Sequence, residues 1–486
     1  MTPPLAIRLS RLAAPLLVFA VAAWTMLGQA QRVGYNTDEG QFISTAEYFD
    51  VVFLQGRLAG APWDITYWTL TQPPITRYLL GAAIHLSGNP IPRMNLDHRI
   101  EEARGPDRER FLDPAYYRDE RRLAEERRIN RPPAAVLHAA RVPMAIFGAG
   151  AGLLLFLIGR SLGGTVAGLV AAAGLLWTPL ALQLLPRAHA EGPLIFLSLL
   201  GLLLSLLATR RATRDAVRAS TATALDVRGP NVTAYTHDRP ARGLPAWLAL
   251  WSLAGLATGL AAGTKLTAVL AIAALGGFTA WAFLVWWRSR DPLPRSLAAR
   301  AWRGGAVASA LSLVVFVGVN PFMWPNPVDR TLAMLQFRRQ EVVGQRALNA
   351  ELAVPESLPT RVALLLSETF VAQMPLSRRT GLPIEAGLAL VGAIVLVRRA
   401  LIARARGGLV GPEAVVLAWV VVFLGGTAPN LGIDWDRYYL PTLTLGLVLV
   451  GVGAGTLADA SAKAWRQSRS PARQPDPERS PAAASS

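Results

Sequence analysis

The 486-residue sequence contains no cysteine, which excludes disulfides, thiolate metal sites and cysteine nucleophiles. Lysine is almost as scarce. Only Lys265 and Lys463 are present, so nearly all the positive charge is arginine, which stays ionised in almost any surroundings. Charged residues make up 17% of the chain, well under the roughly 25% of soluble domains, and 52% of it is hydrophobic. The apolar residues fall in long uncharged runs. A soluble globular protein is thereby excluded, although 49 basic residues against 32 acidic ones give a formal charge of +17 that would otherwise suggest nucleic-acid binding.

A helix of about 17–25 mainly apolar residues is long enough to cross a bilayer. The sequence offers ten such runs, near 12–31, 138–158, 164–186, 191–208, 246–263, 266–287, 304–320, 384–397, 413–428 and 438–458, with 361–376 as a weaker eleventh. This predicts an all-α polytopic membrane protein. Arg8 and Arg11 precede the first run as in a signal peptide, but its length and the many runs that follow favour an uncleaved first helix. Gly148, Gly150 and Gly152, and the Gly255/Gly259/Gly263 row, have the small-residue spacing that lets membrane helices approach closely.

Basic residues in short loops set orientation. With a cytoplasmic N-terminus, the inner segments (Arg8 and Arg11, Arg160, 209–245, Arg288–Arg303, Arg398–Arg406 and the tail) carry a net +16, and the outer positions only +1. The basic excess therefore reads as membrane orientation and contact with anionic inner-leaflet lipid, not as a nucleic-acid footprint. Both termini are expected in the cytoplasm of a cell-membrane protein. The alternating Arg and Asp/Glu of 91–133 suit a solvated helix. The Thr/Ser/Ala-rich loop 209–245 and the Pro/Ala/Ser/Arg-rich tail 459–486 lack the apolar content to pack.

Function is sought where charge meets the membrane edge. In the first outer loop, 32–137, Asp38 and Glu39 stand together just after the first run. They fit either a functional pair, because such carboxylates are costly to desolvate, or a plain acidic helix start. Gln72-Pro73-Pro74 leads into 75–87, too short to span and expected to lie as an interfacial helix. Arg187, His189 and Glu191 sit between the third and fourth runs, and Lys265 between the fifth and sixth. Asp434, Asp436 and Arg437 precede the last. A lone lysine in an uncharged stretch must reach an anion or water; phosphate and carboxylate both serve, and a pairing with Glu191 is the bland alternative. Trp63, Tyr67 and Trp68 suit a membrane-interface belt better than a sugar-stacking platform.

Taken in order, these elements resemble those of the polytopic lipid-carrier-dependent glycosyltransferases, the family that includes protein O-mannosyltransferases and bacterial aminoarabinose transferases and has the membrane fold called GT-C. Asp38-Glu39 resembles that family's acidic pair in the first outer loop. Gln72-Pro73-Pro74 resembles its His/Lys-Pro-Pro element, and Arg187…Glu191-Gly192-Pro193-Leu194 its Arg…Asp-X-Pro-Leu step. The segment from Gly259 to Thr264-Lys265 resembles its Gly-rich stretch ending in Ser/Thr-Lys. The segments Asn320–Pro327 (in the outer loop 321–383) and Arg437-Tyr438-Tyr439-Leu440-Pro441 resemble its later outer elements. The likeness runs from 12 to about 458. Gln72 in place of His or Lys, and Glu191 in place of Asp, depart from the pattern at donor-contacting positions.

The resemblance implies a GT-C-like bundle of about ten or eleven spans over 1–458. It also implies transfer of a sugar from a polyprenyl-phosphate carrier to a protein or glycolipid acceptor on the outer side, with inversion. Such chemistry needs a base within hydrogen-bond reach of the acceptor and fixed cations for the departing phosphate. Asp38 is the expected base, with Glu39 orienting the acceptor or tuning Asp38. Arg187, Lys265 and Arg437 are the expected phosphate cations, and Glu191 and Gln72 further donor contacts. No cofactor is assigned. Asp38, Glu39, His189 and Glu191 could form an oxygen/nitrogen metal site, but no ligand spacing is diagnostic. A transporter or flippase of lipid-linked sugars, or a non-catalytic membrane partner in glycan assembly, are the alternatives.

Overall fold

The computed structural model describes residues 5–92, 130–226, 244–403 and 408–469, together with 121 and 128. The charged segments 93–120 and 122–127, the inner-loop stretch 227–243 and the tail from 470 lie outside the described residues. Within them the protein is built of helices, with an isolated antiparallel bridge between Ala353 and Ile433. The principal helices are α1 (Leu5–Arg32), α2 (Thr37–Ser44), α3 (Tyr67–Thr71), α4 (Ile75–Leu86), α5 (Ala134–Trp177), α6 (Pro179–Leu184), α7 (Glu191–Asp226), α8 (Ala246–Ala262), α9 (Val269–Arg288), α10 (Pro292–Gly318), α11 (Pro327–Leu348), α12 (Leu358–Ser367), α13 (Pro375–Thr380), α14 (Ile384–Ile402), α15 (Pro412–Asn430) and α16 (Leu440–Arg469).

Nine of the ten strong apolar runs coincide with one of these helices to within a few residues; the tenth, 164–186, is divided between α5 and α6. Among the described residues, seven helical segments are long and apolar enough to span, and Ala246–Ala262 is a shorter apolar helix. The run 138–158 and the first part of 164–186 share α5, a 44-residue helix bent where Gly163 and Gly164 leave helical backbone angles; the rest of 164–186 passes the extended Thr178 into α6. Gly164 has φ +83°, a conformation that suits glycine. The run 384–397 is the core of α14. The weaker candidate 361–376 is not a span: its ten-residue α12 passes into a π-turn over Glu368–Ala372 and is too short to cross. Two polar stretches are also more ordered than their composition suggests. Helix α7 continues through 209–226, and α16 through Arg469, as extensions of apolar helices already paid for by packing.

Glycine sets the spacing inside the bundle. A Cβ on Gly255 would sit 2.4 Å from the Ala308 carbonyl oxygen, and one on Gly259 2.6 Å from that of Ser312, so the predicted small-residue row is the seam between α8 and α10. Gly148 faces Met26 and Leu185, and Gly152 faces Ala22, which brings α1 against α5. The tightest seam joins α14 and α16. There Gly392 and Gly453 each leave room for the other helix's backbone, with a Cβ reaching 2.0 Å from the Leu449 and Leu388 carbonyl oxygens respectively.

This connectivity brings the end of α1, the starts of α7, α9 and α16 and the end of α8 to one end of the bundle. The short helices α2, α3 and α4 cover that end, and α11 packs against α3. Helix α4 buries Thr76, Tyr78, Leu80 and Ile84 and is twelve residues long, as expected of a helix that does not span.

Candidate active site

A cavity of about 260 Å3 opens at that end. Five of the seven residues singled out from sequence line it: Asp38, Gln72, Glu191, Lys265 and Arg437. Each is supplied by a helix junction. Asp38 lies in the first turn of α2, Gln72 is the extended residue that ends α3, and Glu191 opens α7. Lys265 sits in extended backbone between α8 and α9, and Arg437 in a 3-10 turn ahead of α16. Junctions can carry these groups because helix ends have backbone polar groups free to meet them.

The charges come in pairs. Arg437 donates to Asp38 Oδ2 at 2.5 Å, and Lys265 Nζ to Glu191 Oε1 at 2.6 Å. From α11, Arg338 bridges to Glu341 and also donates to the Tyr438 hydroxyl at 2.7 Å. Glu341 accepts from the Tyr67 hydroxyl at 3.2 Å. Arg338, Glu341 and Gln345 lie on one face of α11, three and four residues apart, and all line the cavity. Arg437 stacks over Trp435, 4.5 Å from its ring centre, which fixes the guanidinium plane.

Burial pushes the Asp38 carboxyl upward, but Arg437 and then His189 hold it below the usual aspartate range, so it is ionised at neutral pH. About a third of its side chain faces the cavity, and among the described residues nothing hydrogen-bonds its Oδ1. His189 is held below the ordinary imidazole range by burial, against the opposing pull of Glu191. Burial likewise lowers the Lys265 ammonium, while Glu191 acts to keep it charged.

Glu39 does not line the cavity. It is fully buried and accepts from Arg141 Nε and Nη2, both at 2.7 Å, and from the backbone N–H groups of Ala188 and Asn36 at 3.0 Å. Arg141 in turn donates to the carbonyls of Ala30, Val33 and Gly34 at the end of α1. With Asn36 accepting from the Asp38 N–H, Glu39 completes a capping box. Of the acidic pair, Glu39 is thus engaged in the helix start, and Asp38 lines the cavity. Arg187 is buried close by without lining the cavity, and its Nε has no hydrogen-bond partner among the described residues. Of the three aromatics, Tyr67 lines the cavity. Trp63 is buried and donates to the Arg57 carbonyl, and Trp68 lies beside the Arg77 guanidinium. Among the described residues no group of three or more His, Cys, Asp and Glu side chains is placed to hold a metal ion.

No protein-family model and no curated protein matches the chain. Solved structures do. The archaeal oligosaccharyltransferase AglB from Archaeoglobus fulgidus, in complex with an inhibitory peptide and a dolichol-phosphate, superposes over 95% of this chain at TM-score 0.52 and 14% identity. The apo Archaeoglobus fulgidus oligosaccharyltransferase does so over 93%, at TM-score 0.52 and 13% identity. The fold is GT-C. In both comparisons 52% of the oligosaccharyltransferase is covered, so this chain spans about half its length. ArnT from Cupriavidus metallidurans, bound to undecaprenyl phosphate, aligns over 93% of this chain and 61% of its own at TM-score 0.46 and 14% identity.

Sequence reasoning missed four residues in and behind the wall of this cavity. Arg141 had a visible signal, being the one arginine inside an apolar run that must otherwise be uncharged. Arg338, Glu341 and Gln345 had none, because α11 is polar on several faces and reads as a solvated surface helix.

Proposed function

We propose that the protein is an integral membrane glycosyltransferase that moves a sugar from a polyprenyl-phosphate carrier to a protein or glycolipid acceptor, inverting the anomeric carbon. The observation that carries this reading is the juxtaposition in one cavity, at one end of the bundle, of an ionised carboxylate with an unengaged oxygen and two cations with spare donors. Asp38 Oδ1 takes the proton of the acceptor hydroxyl or amine as that atom attacks C1 of the sugar. The bond from C1 to the carrier oxygen breaks, and its electron pair leaves with the phosphate. Lys265 and Arg437 bear the charge that develops there. Both are held in place at the cavity wall, and fixed cations stabilise charge without having to reorganise. Glu191 keeps Lys265 in place, Gln72 meets the donor from the α3 side, and Arg187 adds positive potential from behind the wall.

The cavity is assigned to the outer face, with both termini inside, because only that orientation places the basic short loops in the cytoplasm. A transporter or flippase is less well supported, since its charged groups are expected near the bilayer midplane and these lie at helix ends. The test is reconstitution of the full chain in liposomes with radiolabelled polyprenyl-phosphate sugars. Transfer lost in Asp38→Asn supports the reading. Undiminished transfer by that variant overturns the assignment of the base, and carrier movement across the bilayer without transfer overturns the enzyme reading.

A further inference from the structure

Helix α9 starts at the active-site end and runs for 20 residues, about 30 Å, to the opposite end of the bundle. A second cavity, of about 670 Å3, lies there. One wall is the face of α9 that carries Trp281, Leu284 and Arg288, three and seven residues apart. The other is made by Ile402, which ends α14, and Leu409 in the 3-10 turn Gly408–Val410. The Trp281 indole N–H donates to the Leu409 carbonyl at 2.7 Å and ties the two walls together. At the turn from α9 to α10, Arg288, Arg290 and Asp291 line the cavity, and all three are exposed. The lining is thus apolar along the helices and cationic at the turn.

Arginine is common at the ends of membrane helices; what distinguishes these two is that nothing in the protein uses them. Among the described residues, Arg288 and Arg290 have no hydrogen bond, ion pair or ring contact. Other arginines at this end are engaged. Arg210 and Arg399 donate to the carbonyls of Ser161 and Leu162 beside the bend of α5, and Arg300 to that of Ala212. Arg211 pairs with Asp215, and Arg295, in the first turn of α10, lies over Trp286. Asp291 is the one carboxylate in the lining, so two arginines against it leave a net charge of +1.

We infer that this cavity binds the headgroup of an anionic phospholipid, with the phosphate at Arg288 and Arg290 and the upper part of an acyl chain along Trp281, Leu284 and Ile402. Apolar residues within the span followed by cations just past its end repeat the order of chain and headgroup in a lipid. A free phosphate ion would meet the arginines and leave Trp281 and Ile402, 43% and 71% exposed, uncovered. Basic pockets between helix ends suit such headgroups, and on the orientation adopted above this end faces the inner leaflet, where anionic lipid is concentrated. The site is independent of the transfer chemistry at the other end.

The test measures equilibrium binding of radiolabelled phosphatidylglycerol and phosphatidylcholine of equal chain length to the full-length protein in neutral detergent, for wild type, Arg288→Gln, Arg290→Gln and Asp291→Asn. One basic residue at a lipid surface is worth about fivefold in affinity at low salt. Two attractive charges and one repulsive one should therefore give wild type about a fivefold preference for phosphatidylglycerol. Each arginine variant should bind phosphatidylglycerol about fivefold more weakly and phosphatidylcholine as before. Asp291→Asn should bind phosphatidylglycerol about fivefold more tightly, a gain that a damaged fold could not produce; its side chain makes no cap hydrogen bond to α10. Raised salt should erode the preference. Equal binding of the two lipids by wild type at low salt, or an undiminished preference in both arginine variants, overturns the site. Displacement of phosphatidylglycerol by inorganic phosphate, beyond what chloride achieves at equal ionic strength, overturns the lipid as its ligand.

Discussion

Two adjacent carboxylates, Asp38 and Glu39, are given opposite duties by their surroundings, and neutralising each in turn separates them. Glu39 is wholly buried and accepts four hydrogen bonds, two of them from Arg141. Burial would raise its carboxyl, and Arg141 holds it below the usual glutamate range. Glu39→Gln removes the charge and one acceptor oxygen and leaves the Arg141 guanidinium buried against neutral oxygens alone. Breaking a buried pair from one side costs about 3–5 kcal/mol, which for a chain of this size lowers the thermal midpoint by about 3–5 °C. Asp38 is a third exposed and its pairing with Arg437 is partly solvated, so Asp38→Asn should cost at most about 1 kcal/mol. The loss of transfer, by contrast, should be about 10²–10⁴-fold, the contribution of a positioned base. The assay pairs a thermal unfolding curve in detergent with initial rates of sugar transfer in liposomes. The expected pattern is a destabilised Glu39→Gln whose folded fraction still transfers, and a stable Asp38→Asn that does not. A Glu39→Gln protein as stable as wild type yet inactive would refute the division of roles.

Other consequences follow from the same geometry. Acid should act on both carboxylates with the same sign. Because their folded values lie below the unfolded ones, the stability they contribute is present above about pH 4 and is lost as pH falls through the folded values; transfer by the folded protein should persist to below pH 4 before Asp38 protonates, read from the acid limb of the rate profile. Lys265→Met leaves Glu191 buried beside His189 alone and should lower stability by about 3–5 kcal/mol, whereas Lys265→Arg should fold and show its defect in donor KM. If Lys265 and Arg437 supply the positive charge at the phosphate, transfer should survive EDTA; a loss restored by added Mn2+ would show that a metal ion carries it. Gly392→Ala places a methyl group where Leu449 carbonyl oxygen approaches and should destabilise by about 1–3 kcal/mol, while Gly276→Ala, with open space around it, should be neutral in the same unfolding measurement.

The spans were legible because bilayer thickness imposes a length and polarity on each helix that no tertiary contact can relax. The strong apolar runs accordingly form helices, one of them, 164–186, divided at Thr178, while the weak run 361–376, with Glu368 in its middle, does not form a span. Single charges against apolar sequence were legible for a related reason. Lys265 and Glu191 stand out because an ionised group at a membrane edge must have a partner, and each proved to be the other's.

The sequence by itself therefore determined that this is a bundle of membrane helices with its ionisable groups gathered at helix junctions. It could not divide Asp38 from Glu39. Adjacent residues share composition and spacing, and only the turn of α2 sends one side chain to Arg141 and the other to the cavity. Nor could it show that α11 closes the site. Arg338, Glu341 and Gln345 sit on a helix whose sequence is equally suited to solvent, and their role depends on α3 packing across them. Hydrophobic burial is written locally, because each span must satisfy the bilayer on its own. Pairing between polar groups 102 or 399 residues apart exists only once the chain has brought them together.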